Sequence, residues 1–139
     1  METKPLTNKI FLDTSFILAF VNEQDQNHQT AVRLTDKFKY DPVVITDAVL
    51  LEIGNGLARN FKLQAIEIFN HCYTAKQVTI VHLTPALLRR GVQFYQSYLD
   101  KTWGLVDCIS FVVMRDMEIT EVLTFDKHFA QAGFKMLAP

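Results

Sequence analysis

A chain of 139 residues, 49% apolar and 21% charged, is long enough to close one hydrophobic core and too apolar to stay disordered. Fourteen Lys plus Arg against fifteen Asp plus Glu leave a net charge of −1, which excludes a general basic surface for gripping duplex nucleic acid. The apolar runs 16–21 and 111–114 fall far short of the roughly 20 residues of a membrane span, and residues 1–9 lack a secretory pattern, so the expectation is a cytoplasmic, single-domain chain over 1–139.

The predicted elements alternate along the chain. Residues 9–13 form a short apolar strand that runs directly into a helix opening at Thr14 and Ser15. Residues 24–39 are polar, with Ala31, Leu34 and Phe38 at helical spacing, and predict a surface helix. Asp41-Pro42 turns the chain into a second strand, 43–46. Asp47 then caps a helix to about residue 60, and 61–76 is another helix. A third strand, 78–82, leads to Thr84 and Pro85, a cap followed by proline at the first helical position, for a helix to about residue 100. Trp103-Gly104 interrupts the chain, 106–117 is helical, and 121–124 and 135–137 read as two short closing strands. Strands alternating with helices predict an α/β fold, three layers with a mostly parallel central sheet. Ligands of such sheets bind at the carboxyl ends of the strands.

Four carboxylates stand out against that frame. Asp13 ends the first strand, Asp126 follows the fourth, Asp107 lies in the first turn of the helix after Gly104, and Glu52 sits mid-helix among Val49, Leu50, Leu51 and Ile53. Burying four carboxylates is costly unless a cation joins them. Oxygen donors without His or Cys select Mg²⁺ or Mn²⁺, ions suited to phosphodiester cleavage. The competing reading makes Asp13, Asp107 and Asp126 helix caps, and Glu52 a surface residue paired with Arg59. The set taken together favours a site.

The order Phe11-Leu12-Asp13-Thr14-Ser15, then Glu52, then Asp107 on a helix, then Leu123-Thr124-Phe125-Asp126-Lys127-His128-Phe129 resembles the PIN-domain nucleases, most of all the small single-domain VapC-type toxins. The resemblance runs from about Ile10 to Leu137. It implies a metal-dependent endoribonuclease using Mg²⁺ or Mn²⁺, with acidic positions at Asp13, Glu52, Asp107 and Asp126 and hydroxyl support from Ser15 and Thr124. It also implies an RNA substrate, frequent homodimerisation and often a cognate antitoxin. Asp13, Asp107 and Asp126 would hold the metal directly or through water, with Glu52 completing the charge and orienting the attacking water or serving equally as a ligand. Two features depart from the pattern: Cys108 follows Asp107 where a small Ala is common, and Gly54 and Gly56 follow Glu52. The glycines serve close helix packing, admit substrate, or end the helix at Asn55-Gly56.

Lesser candidates surround these. Asn55 and Arg59 stand at i+3 and i+7 from Glu52 and could touch a substrate phosphate. Lys62, Arg89, Arg90, Lys101 and Lys127 could form a positive rim, Trp103 could stack on a base or serve the core, and His128 stands two residues from Asp126. Asp47 reads as an ordinary cap. Cys72 and Cys108, 36 residues apart, read as reduced core thiols. The rival functions are a phosphohydrolase with Asp13 as nucleophile, disfavoured because Ser15 stands where that class wants a second Asp, and a non-enzymatic PIN-like interaction or RNA-binding domain.

Overall fold

Short segments rich in Ile, Val and Phe, apolar on both faces, belong in the interior of a parallel sheet. The computed structural model, which describes residues 9–139, places five such segments side by side. They are β1 (Ile10–Leu12), β2 (Val43–Thr46), β3 (Val78–Val81), β4 (Glu121–Leu123) and β5 (Lys135–Met136), all parallel, in the order β3-β2-β1-β4-β5. The reading of the N-terminus as free of a secretory signal falls largely on residues 1–8, outside the described residues.

Between the strands run α1 (Thr14–Val21) and α2 (His28–Lys37), α3 (Asp47–Leu57) and α4 (Lys62–Thr74), α5 (Pro85–Ser97) and α6 (Leu105–Asp116), and the single turn α7 (His128–Gln131). The chain steps outward from β1 to β3, then returns to lay β4 on the other side of β1. Right-handed crossovers put the connecting helices on opposite faces when the direction reverses. Successive β1 residues show both faces. Leu12 looks into an apolar cavity of about 330 Å³ lined by Phe16, Phe20, Phe38 and Ile68 of the α1, α2 and α4 side. Phe11 packs on Phe129, whose ring meets Phe111 of α6 edge-on at 5.0 Å. The expected three-layer α/β/α architecture is therefore present.

Several boundaries move for local reasons. The helix expected over 24–39 starts only at His28, because Asn22 and Asp25 hold the preceding residues in turns: their side chains accept the N–H groups of Gln24 and Asn27. The cap expected at Asp47 is one residue earlier. Thr46 Oγ1 accepts the Val49 N–H at 3.1 Å, and Asp47 instead accepts the Leu83 N–H at 2.8 Å, tying α3 to the end of β3. α3 ends at Leu57 rather than near residue 60 and passes through both glycines. A methyl on Gly56 would lie 3.0 Å from Leu18 Cδ2, and one on Gly54 3.2 Å from the Phe69 ring, so these glycines serve close packing of α3 against α1 and α4. α6 is buried from Cys108 to Met114, which carries the helix under the sheet and fixes where its first turn emerges.

Candidate active site

The strand order reverses between β1 and β4, and the crevice beyond their carboxyl ends is where an open α/β sheet offers its ligand site. Asp13 is the first residue past β1. It stands at the N-cap position of α1, yet its carboxylate makes no capping bond and is 4% exposed. Ser15 Oγ and Thr124 Oγ1 both donate to Asp13 Oδ2, at 2.9 and 2.7 Å. Each hydroxyl also accepts a backbone N–H: Ser15 that of Phe125 at 3.0 Å, across the strand pair, and Thr124 that of Asp126 at 2.9 Å, two residues on. A hydroxyl has one proton to give. With those protons given to Asp13, the pair stitches the end of β1 to the loop after β4 and fixes the backbone that presents Asp126.

Asp107 enters from the first turn of α6, whose N-cap is Gly104. Its Oδ2 lies 2.9 Å from His128 Nδ1, and the same nitrogen is 3.3 Å from Asp126 Oδ1. Asp126 Oδ1 in turn accepts the His128 N–H at 2.9 Å, a local turn that opens α7. Burial pushes the Asp13 carboxyl from its ordinary 3.8 up to about 6, against the pull of the Thr124 and Ser15 hydroxyls and with a further push from the Asp107 charge. Asp107 is raised as well, first by burial and then by Asp126, with the His128 hydrogen bond opposing. Three carboxylates from three elements thus share one field. The donor chemistry fits a hard divalent cation: desolvated carboxylates that repel one another are relieved by a positive ion. Asp107, Asp126 and His128 each offer a donor atom within 4.8 Å of the others.

A PIN-domain signature matches residues 10–135, nearly all of the described chain. The chain belongs to the PIN-domain family. It is 33% identical over 131 residues to the 23S rRNA-specific endonuclease VapC20 of Mycobacterium tuberculosis, covering 94% of this chain and 98% of that protein. It is 24% identical over 132 residues to a VapC ribonuclease of Aquifex aeolicus, covering 92% and 95%. The crystal structure of M. tuberculosis VapC20, described as a sarcin-ricin loop cleaving toxin, superposes with a TM-score of 0.82 at 30% identity over 94% of this chain and 99% of that one. FitAcB from Neisseria gonorrhoeae, at 15% identity and a TM-score of 0.61 over 91% and 95%, shares the fold. The family and the VapC-type likeness read from the sequence are both met.

In this PIN domain the remaining residues fall into place unevenly. Glu52, flanked by buried Leu50 and Ile53, is itself exposed; of the four carboxylates expected to be buried only Asp13 is, while Asp107 and Asp126 are half-buried. It joins the site through Thr14, whose Oγ1 donates to Glu52 Oε1 at 2.8 Å, one residue from Asp13. Among the described residues no ion pair links Glu52 to Arg59. Asn55 is exposed on α3, and Arg59 is exposed in the turn beyond its end. Arg90 is engaged by both oxygens of Asp116, and Lys101 sits beside Asp100; Lys62, Arg89 and Lys127 are exposed. Trp103 is buried and packs with Tyr98 and Phe111, its Nε1 donating to Gln131 Oε1 at 2.9 Å, so it serves the core. Cys72 and Cys108 are free and buried, as expected. His128 is the residue that sequence reasoning left at the margin. Its signal was its place two residues past a strand-end aspartate, and its partner Asp107 is 21 residues away in the chain. No described helix is long and apolar enough to cross a membrane.

Proposed function

We propose that this PIN domain is a Mg²⁺- or Mn²⁺-dependent endoribonuclease that acts in the cytoplasm on RNA, as the toxin of a toxin-antitoxin pair. The observation that carries the reading is the convergence of Asp13, Asp107 and Asp126, from three separate elements, at the strand-order reversal, with Asp13 buried and its carboxyl raised to about 6. Asp13, Asp107 and Asp126 would hold the cation. When bound, it supplies positive charge against the phosphodiester oxygens and activates the attacking water.

The chain's own groups do the rest. Ser15 and Thr124 hold the Asp13 carboxylate in one orientation, so the charge meant for the cation is in place beforehand. Glu52, exposed and steadied by Thr14, is positioned to orient water at the rim. Asn55 lies one helical turn along α3 from Glu52, and Arg59 just beyond the helix end, where they can meet substrate phosphates. The VapC-type relatives support RNA as substrate. A cognate antitoxin and a homodimer follow from the same likeness, and exposed Leu63, Leu99 and Tyr95 supply apolar surface for such contacts.

The test is a substrate panel with Mn²⁺: single-stranded RNA, a ribosomal RNA fragment, single-stranded DNA and p-nitrophenyl phosphate. The proposal expects internal RNA cuts and no turnover of the monoester. Monoester hydrolysis without RNA cleavage would make the protein a phosphohydrolase, and turnover of neither would make it a binding module.

A further inference from the structure

We propose that His128 is a direct ligand of the divalent cation, through Nδ1, and that this nitrogen makes the site prefer Mn²⁺ to Mg²⁺. The inference rests on the metal-site reading above and changes its donor set, from carboxylate oxygen alone to the carboxylates and an imidazole.

Distance is the first observation. Neighbouring ligands of an octahedral ion, each about 2.1 Å from it, stand about 3 Å from one another. Nδ1 of His128 lies 2.9 Å from Asp107 Oδ2 and 3.3 Å from Asp126 Oδ1, the spacing of adjacent corners of one coordination sphere. The ring is also tied to one of those ligands through the chain, since the His128 N–H donates to Asp126 Oδ1.

The second observation concerns the opposite side of the ring. Nε2 is 3.3 Å from Thr102 Oγ1. A metal-binding imidazole places its far N–H on such an outer partner, and that bond decides which nitrogen is left with a lone pair. With Nε2–H donated to Thr102 and a cation in place of the proton that Nδ1 otherwise donates to Asp107 Oδ2, the Nδ1 lone pair would point where the two carboxylate oxygens converge. A cation there takes the place of that proton and meets three donor atoms that lie within 4.8 Å of one another. The side chains are only partly exposed, 26% for His128 and 17% for Asp107, so water screens the neighbouring carboxylate charges poorly and a cation gains more from them.

The consequence is selectivity. All-oxygen sites suit Mg²⁺, Ca²⁺ and Mn²⁺ alike, whereas an imidazole donor favours the later first-row ions and gives Mg²⁺ the least. Mn²⁺ should therefore bind more tightly than Mg²⁺, by a margin that depends on His128.

The experiment uses the full chain without a histidine tag. Electron paramagnetic resonance of free Mn²⁺ gives its dissociation constant, competition gives that of Mg²⁺, and electron spin-echo modulation detects a ¹⁴N nucleus bound to Mn²⁺. The wild type should show directly coordinated nitrogen. His128→Ala should lose it and weaken Mn²⁺ about tenfold or more, while Mg²⁺ weakens less. His128→Asp, which offers oxygen instead, should bind both ions without the nitrogen signal and with less preference for Mn²⁺. His82→Gln, at the exposed histidine beside Asp47, should keep the signal. Tight Mn²⁺ binding with no nitrogen signal in the wild type, or a signal that survives His128→Ala, overturns the inference and leaves the carboxylate site standing. If the wild type binds no Mn²⁺, both fall.

Discussion

Asp13→Asn isolates the cost of holding a desolvated carboxylate ready for a cation. The Asp13 carboxyl is raised from 3.8 to about 6 in the folded protein, so between those values the native state binds a proton that the unfolded chain has released. The raised value means that this group costs nothing below about pH 4 and destabilises increasingly as pH climbs to about 6. Two pK units correspond to about 3 kcal/mol above that window. Asn keeps the shape and an oxygen that can accept from Ser15 and Thr124, and removes the charge. In chelator, the variant should therefore be more stable than wild type at pH 7.5, by up to about 3 kcal/mol. At roughly 4 °C per kcal/mol for a chain of this size, that is a rise in Tm of about 10 °C. At pH 4 the two proteins should melt together. Thermal melts of both, in chelator at the two pH values, measure the difference directly. No gain at pH 7.5, or the same gain at pH 4, would refute the argument that burial of the charge sets this carboxyl's properties.

Two further perturbations separate support from rim. Thr124→Val removes a buried hydroxyl that donates to Asp13 and accepts the Asp126 N–H. It should cost about 1–3 kcal/mol in melts and lower kcat for RNA cleavage, with Ser15→Ala acting in the same direction through Phe125 and Asp13. Glu52→Gln, at an exposed position, should change metal-free stability by no more than about 0.5 kcal/mol while reducing cleavage. A large stability change there, or full activity, would remove Glu52 from the site.

Much of this arrangement was legible in the chain. Period and punctuation place the five strands, and the aspartates at strand ends fall at the sheet edge because parallel strands all present their carboxyl ends there. What was illegible depends on tertiary convergence or on competition between neighbours. Thr46 and Asp47 both suit a cap, and only the Leu83 N–H, 36 residues away, draws Asp47 aside. Glu52 has apolar neighbours on every side in sequence, yet the helical turn sends Leu50 and Ile53 inward and leaves Leu51 and Glu52 outside. The glycines of α3 admitted three explanations until Leu18 and Phe69 were seen to press on them. α7 is one turn long and has no period to read, so His128, at its start, carried no signal of its approach to Asp107.

The central claim is that Asp13, Asp107 and Asp126 act together through a divalent cation to cut RNA. RNA cleavage by Asp107→Asn beside wild type, first in EDTA and then with Mn²⁺ or Mg²⁺ restored, tests it most directly. Asn at this first-turn position keeps the shape of Asp while removing the charge. The account predicts no cleavage by either protein in chelator, recovery by the wild type on adding metal, and a loss of orders of magnitude in the variant under the same conditions. Sustained cleavage in excess EDTA, or near wild-type rates in Asp107→Asn, would contradict it.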